Sequence, residues 1–255
     1  MRFNTVFILL FTSSSCFAAE PLEVSVGMYD FAPFVESKGL LGEVGMTLDL
    51  VAALNHSQKK YYFNTQLIPP KRRYQSFNDG HYDMIFYESK SWGWQDINVD
   101  VSDVYQLGGE VYIALKKQGR NQKYFSDFNN KNMIGIYGFH YGFANFNSDE
   151  DYLIKEFNMM LTPDNDRNIK LLLKERGDVA VVTKAYLQRF LLVNPSVKPQ
   201  LLISDNLDQV YNHTVLLRPG ILPSIDEVNA MLNNLKKTGE MKKLLEKYGL
   251  NQHTF

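Results

Sequence analysis

LEVSVGMYDFAPF, Leu22 to Phe34, decides how this chain folds. Its first seven residues alternate and carry valine twice, which is the period of a strand with one buried face. DFAPF ends that run as a turn, because Pro33 holds the residue before it in an extended or turn conformation. Beyond it, GMTLDLVAAL (Gly45 to Leu54) has apolar residues at helical spacing, and KYYFNTQLI (Lys60 to Ile68) reads as a second strand. RRYQSFNDG (Arg72 to Gly80) reads as a short helix closed by Gly80, and YDMIFYE (Tyr82 to Glu88) as a third strand. Strand, helix, strand, helix, strand is the order of a parallel sheet covered by helices.

The pattern then restarts. EVYIALKK (Glu110 to Lys117) and NMIGIYG (Asn132 to Gly138) read as strands, Asn168 to Lys174 as a helix, and DVAVVT (Asp178 to Thr183) as a short apolar strand. HTVLLRPG (His213 to Gly220) is a further strand, and Ile225 to Tyr248 form a pair of amphipathic helices separated near Gly239. No low-complexity tract, short repeat or Pro/Ser-rich linker interrupts the chain. The expectation is two similar α/β lobes without a flexible tether.

Composition narrows the function. A hydrophobic fraction of 45% and a net charge of −1 describe an ordinary globular protein with no electrostatic bias towards nucleic acid or an anionic membrane. Arg2, the apolar run Val6 to Phe11 and the small residues before Glu20 predict an export signal, residues 1–18, cleaved after Ala18 or one residue later. That run is far shorter than the ~20 residues of a membrane span, so the mature protein is expected to be soluble and exported, which the resemblance below makes periplasmic. Cys16 is the only cysteine. A lipoprotein attached through it is the disfavoured alternative, because Ser13 stands where such sites usually carry an aliphatic residue. His56, His81, His140, His213 and His253 show no paired metal-ligand spacing, and no cofactor or metal is expected.

In order and spacing, VSVGMYDFAPF, GMTLDLVAAL, FNDGHYDMIF, VDVSDVY, NIKLLLKERGDVAVV and NNLKKTGEMKKLLEKYGL resemble the bacterial extracellular solute-binding proteins of family 3, as a divergent branch. The resemblance implies the type II periplasmic-binding fold: two lobes, each a mainly parallel sheet flanked by helices, with ligand clamped between them. It places lobe one at residues 22–107 and 210–255, and lobe two at 108–209. Closure around the ligand would be a hinge motion.

Amino-acid carriers of the family keep a Thr-x-x-Arg segment whose arginine clamps the ligand carboxylate. Here that segment falls on Trp92, Gly93, Trp94 and Gln95. The family's aspartate for the ligand ammonium falls on Thr183. An arginine fork and a carboxylate suit a zwitterion because each pairs with one charge. This chain keeps neither at those positions, so a free α-amino acid in the usual pose is not expected.

The tryptophans suggest a replacement. In an extended segment Trp92 and Trp94 would face the same way and form one aromatic wall, able to hold an aromatic, a sugar or a cation. By the same counting Phe31 matches a ligand-stacking aromatic, and Glu88 a contact position where relatives often have Ser. Arg72 and Arg73 are the best remaining cations for a carboxylate or phosphate. Phe139, His140 and Tyr141, in GIYGFHYG, would face the tryptophans, and amides at a helix start there would receive an anionic group. Packing roles compete for each of these residues.

The resulting expectation is a non-catalytic, monomeric solute-binding protein that delivers a small polar or aromatic molecule to an ABC permease or a membrane sensor. One alternative is a docking partner of a sensor without a small ligand. Another is a dehydratase-like enzyme on the same fold, using Glu88, His140 and the arginines for acid–base chemistry.

Overall fold

The computed structural model describes residues 20–37 and 42–250. The expected export signal, residues 1–18, with Cys16 in it, lies outside the described residues. The first half runs β1 (Leu22–Met28), β2 (Glu36–Ser37), β3 (Glu43–Val44), α1 (Met46–Ser57), β4 (Tyr61–Leu67), α2 (Arg73–Asn78), β5 (Met84–Glu88) and β6 (Asp100–Val101). It continues through β7 (Gln106–Leu115), β8 (Met133–Ile136), α3 (Glu150–Phe157), β9 (Met160–Thr162), α4 (Asn165–Leu173), β10 (Val179–Thr183) and α5 (Lys184–Val193). β11 (Leu201–Leu217), α6 (Ile225–Lys237) and α7 (Glu240–Lys247) complete it.

One curled sheet carries the order β4-β1-β5-β11-β7-β10-β8-β9. At one end β1 lies parallel to β4 and β5, as the opening strand–helix–strand pattern requires. At the other, β8 lies parallel to β9 and β10. Between them β7 and β11 run antiparallel, and β11 passes from one lobe to the other. Leu201 to Ile203 pair with Ile113 to Leu115, whereas Leu216 and Leu217 pair with Ile85 and Met84. These two strands join the lobes, and the cleft lies between the lobes.

Alternation sets the cores. Val24 and Val26 are buried, while Ser25 between them reaches Gln66 and Asp83 instead. α1 lays Met46, Leu50, Val51 and Leu54 on the first sheet, with Phe34, Phe63, Trp94 and Leu216 in the same cluster. In the second lobe, Val111, Ile113, Ala180 and Val182 face one cluster. Tyr112, Val179 and Val181 face the other. Ser224 caps α6 in a reciprocal capping box with Glu227.

Three features differ from expectation. β11 begins twelve residues before His213, because residues 201–212 alternate too weakly to announce a strand. α3 and α5 were not foreseen. The segment holding the tryptophans is a turn: Gly93 has φ +80, a left-handed conformation, so the two indoles diverge and form no common wall. No helix of the described residues is long and apolar enough to cross a membrane.

Candidate functional site

The cleft narrows to a cavity of about 20 Å³, room for about one water. Lobe one supplies Tyr29 and Phe31 from the turn after β1, Arg73 from the start of α2, and Trp92. Lobe two supplies Phe139 and His140 from the loop after β8. The crossing strands supply Glu110, Gln209 and Tyr211. Residues 209 and 211 share a face of β11 because side chains alternate along a strand. His213, next on that face, is buried against Phe34 and Tyr87, and its Nδ1–H donates to the Tyr87 carbonyl at 3.1 Å. Burial brings its imidazole down to about 3, so it is neutral.

The aromatic walls stand at right angles to one another. Trp92 meets Tyr211 at 4.7 Å and 90°, and Phe31 meets Trp92 at 5.7 Å and 84°. Phe31 also meets Phe139 at 5.6 Å and 83°, a contact that joins the two lobes. Such edge-to-face pairs add about 0.5–1.5 kcal/mol each beyond area burial. Two ion pairs reinforce closure at the mouth: Lys71 with Glu150 at 2.7 Å, and Arg189 with Glu36 at 2.6 Å. Wider recesses of about 410 and 420 Å³ flank the constriction, the second bounded by Phe31 and Phe139.

Arg73 lines the cavity but is already engaged. Its Nε lies 3.0 Å from Glu88 Oε1, its Nη1 donates to the Pro70 carbonyl at 2.7 Å, and its Nη2 donates to the Tyr74 hydroxyl. The guanidinium also sits over the rings of Tyr29 and Tyr74. Glu88 is fully buried at the end of β5 and does not line the cavity. Burial pushes its carboxyl up, while Arg73 pulls it back towards the charged form.

A second carboxylate stands without such a partner. Glu110 on β7 is 1% exposed and opens onto the cavity. Gln209 Nε2 donates to its Oε2 at 3.0 Å, and Gln209 Oε1 accepts from Trp92 Nε1–H at 3.2 Å. Burial, reinforced by the negative charge of Asp208, pushes the Glu110 carboxyl up to about 8, against hydrogen bonds from Tyr211 and Gln209. Across the sheet, Glu110 is directly opposite Thr183 in the β7–β10 register. His140 is brought down to about 4 by burial and by Arg73, so its ring is neutral too.

The other expected site residues fall elsewhere. Trp94 is fully buried, packed edge-on to Tyr74 and Phe77 in the lobe-one core. Tyr141 is core as well, its hydroxyl accepting from the Ile136 amide at 2.6 Å. Thr183 is buried behind Asn165, whose side chain takes its N–H at 3.0 Å. Arg72 and Gln95 lie exposed and line none of the recesses described above, Gln95 donating to the Ser91 carbonyl at 2.8 Å. The amides at the end of GIYGFHYG do receive an anionic group, but an internal one: Asp208 accepts from Gly142 at 2.7 Å and from Phe143, the next residue, at 2.9 Å. Glu110, Gln209, Tyr211 and Tyr29 escaped the sequence reading. An acidic residue opening an apolar strand, as in GGEVYIAL, is the signal that would have flagged Glu110.

Comparison with known proteins agrees with this geometry. The family model of bacterial extracellular solute-binding proteins, family 3, matches residues 24–251. A substrate-binding protein of an ABC uptake transporter from Streptococcus pneumoniae, solved with bound histidine, aligns with TM-score 0.69 at 16% identity, covering 90% of this chain and 94% of that one. The substrate-binding protein of an amino acid ABC transporter aligns at 0.64 and 22% identity, covering 89% and 98%. A histidine kinase sensor domain similar to periplasmic binding proteins aligns at 0.66 and 15%, covering 91% and 97%. Identities this low establish the shared fold. Comparison with curated proteins finds no match.

Proposed function

Because this chain belongs to the bacterial extracellular solute-binding proteins, family 3, we propose that it is an exported, monomeric carrier that closes its lobes on a small polar or aromatic molecule. It hands that molecule to an ABC permease or a membrane sensor and performs no chemistry on it. Lobe one then spans 22–107 and 210–255, and lobe two 108–209. A free α-amino acid is not the cargo. The observation that supports this is the Arg73–Glu88 pair: among the described residues, the one formally charged cation on the cavity wall is matched by the protein's own carboxylate. A ligand carboxylate entering there would have to compete with a buried partner already held at 3.0 Å.

A thermal-shift panel of amino acids, peptides, amines, sugars, carboxylates and aromatics tests the reading. A ligand at ~100 times its dissociation constant adds about 2.7 kcal/mol to stability. A hit that disappears in Trp92→Ala supports a carrier using this cleft. The self-filled constriction, with Phe31 against Phe139, favours one second reading: a docking partner that closes without a small ligand. Silence across the whole panel would move the assignment there. The dehydratase-like alternative relied on Glu88, which is sealed behind Arg73 and does not line the cavity.

A further inference from the structure

Resting on the carrier reading and deepening it, we infer that the ligand is a small organic ammonium ion without a free carboxylate, its charge received by Glu110 inside a box of aromatic rings.

Three observations meet at this point. Glu110 opens onto the cavity at 1% exposure, yet its hydrogen-bond partners, Gln209 and Tyr211, are neutral. A carboxylate so buried is costly unless a positive charge joins it. Among the described residues, no side chain lining the cavity supplies one: Arg73 is held by Glu88, and His140 is neutral. Phe31, Trp92 and Tyr211 line the same cavity and pack edge-to-face on one another, so a group entering beside Glu110 meets aromatic walls in more than one orientation. Ring faces attract cations and give an anion nothing. The cavity itself has room for about one water, so entry requires Phe139 and His140 to withdraw with lobe two.

The titratable groups facing Glu110 make the charge balance explicit. Asp208 and Tyr211 lie on β11, Tyr112 on β7 and Tyr141 on the loop after β8, and Arg73 with Glu88 close the far wall as a neutral pair. Every unpaired charge in that set is negative. An incoming cation would ionise Glu110 and displace its proton to solvent.

Calorimetric titration of the mature protein with tetramethylammonium, n-butylammonium, 1-butanol and butyrate tests the inference. Both ammonium ions are expected to bind, and butanol and butyrate to bind at least tenfold more weakly. Tetramethylammonium carries no titratable proton, so its pH dependence reports the protein alone. Its affinity should rise by up to about tenfold per pH unit between pH 6 and pH 8, then level off. Glu110→Gln, which preserves shape and hydrogen-bond acceptance, should weaken it at least tenfold at pH 8 and abolish the pH dependence. Ammonium affinity unchanged in Glu110→Gln, or a preference for butyrate or butanol, would overturn the inference. If another class in the thermal-shift panel binds in the cleft while the ammonium ions do not, this inference fails and the carrier reading stands. If nothing binds at all, both fail.

Discussion

Replacing Glu110 by glutamine should stabilise the ligand-free protein at alkaline pH, although it removes a side chain from the centre of the molecule. In the unfolded chain this carboxyl titrates near 4.5; in the fold, burial and Asp208 raise it to about 8. Between those values the native state binds more protons than the unfolded state, so stability falls as pH rises. The contribution is therefore fully present below pH 4.5 and lost once pH passes 8. The rise corresponds to about 5 kcal/mol as a ceiling. Glutamine has no such titration, and Asp208 is relieved of a neighbouring charge in the same direction. Urea unfolding of the wild type and Glu110→Gln at pH 5 and pH 9 isolates the effect, since the remaining titrations are shared. The variant should gain about 2–5 kcal/mol relative to wild type between the two pH values, or roughly 1–2.5 M in midpoint at an m-value of about 2 kcal/mol/M. Parallel pH dependence in the two proteins would refute the claim that Glu110 is buried without a counter-charge.

Other consequences concern the same walls. Glu88→Gln leaves Arg73 buried and unpaired and should cost about 3–5 kcal/mol in denaturant unfolding, whereas Arg73→Met with Glu88→Leu should cost clearly less than the sum of the single changes. Trp94→Ala should cost about 3–5 kcal/mol by opening a core cavity. In fluorescence titrations a ligand response should persist in Trp94→Phe and vanish in Trp92→Phe, because Trp92 alone of the two reaches the cavity. Lys71→Ala with Arg189→Ala removes two cross-cleft ion pairs; the more exposed Lys71–Glu150 pair should contribute no more than about 1 kcal/mol, and the half-buried Arg189–Glu36 pair more than that. Solution scattering should nevertheless show a larger radius of gyration for that double variant.

Most of the parallel strands, with α1 and α4 over them, were legible because their signals are local, whereas β9, α3 and α5 were not. Val24 and Val26 give strand period, and GMTLDLVAAL places Met46, Leu50 and Leu54 on one helical face. The site was legible in part. Phe31, Arg73, Trp92, Phe139 and His140 line the cavity. Trp94 was misread because Gly93 turns the chain, and one left-handed glycine changes which side chains share a face. Glu88 and Arg73 are distant enough in sequence to look like two independent charges, and only folding reveals that they neutralise each other. Glu110, Gln209 and Tyr211 belong to the crossing strands, whose pairing is long-range and whose sequences carry polar residues where a core strand would not. Their roles follow from tertiary placement, which short-range periodicity does not encode.

A carrier of this shape must part its lobes to admit a solute, since a cavity of about 20 Å³ holds nothing larger than about one water while shut. Spin labels on Gln75→Cys and Asp151→Cys, exposed positions on α2 and α3 across the mouth, would measure that motion directly by electron-electron distance spectroscopy, with Cys16 replaced by Ser if it is retained. Ligand-free protein should give a broad or two-component distance distribution that collapses to the shorter distance when solute is added. A single narrow distance, unchanged by every compound in the panel, would contradict that motion.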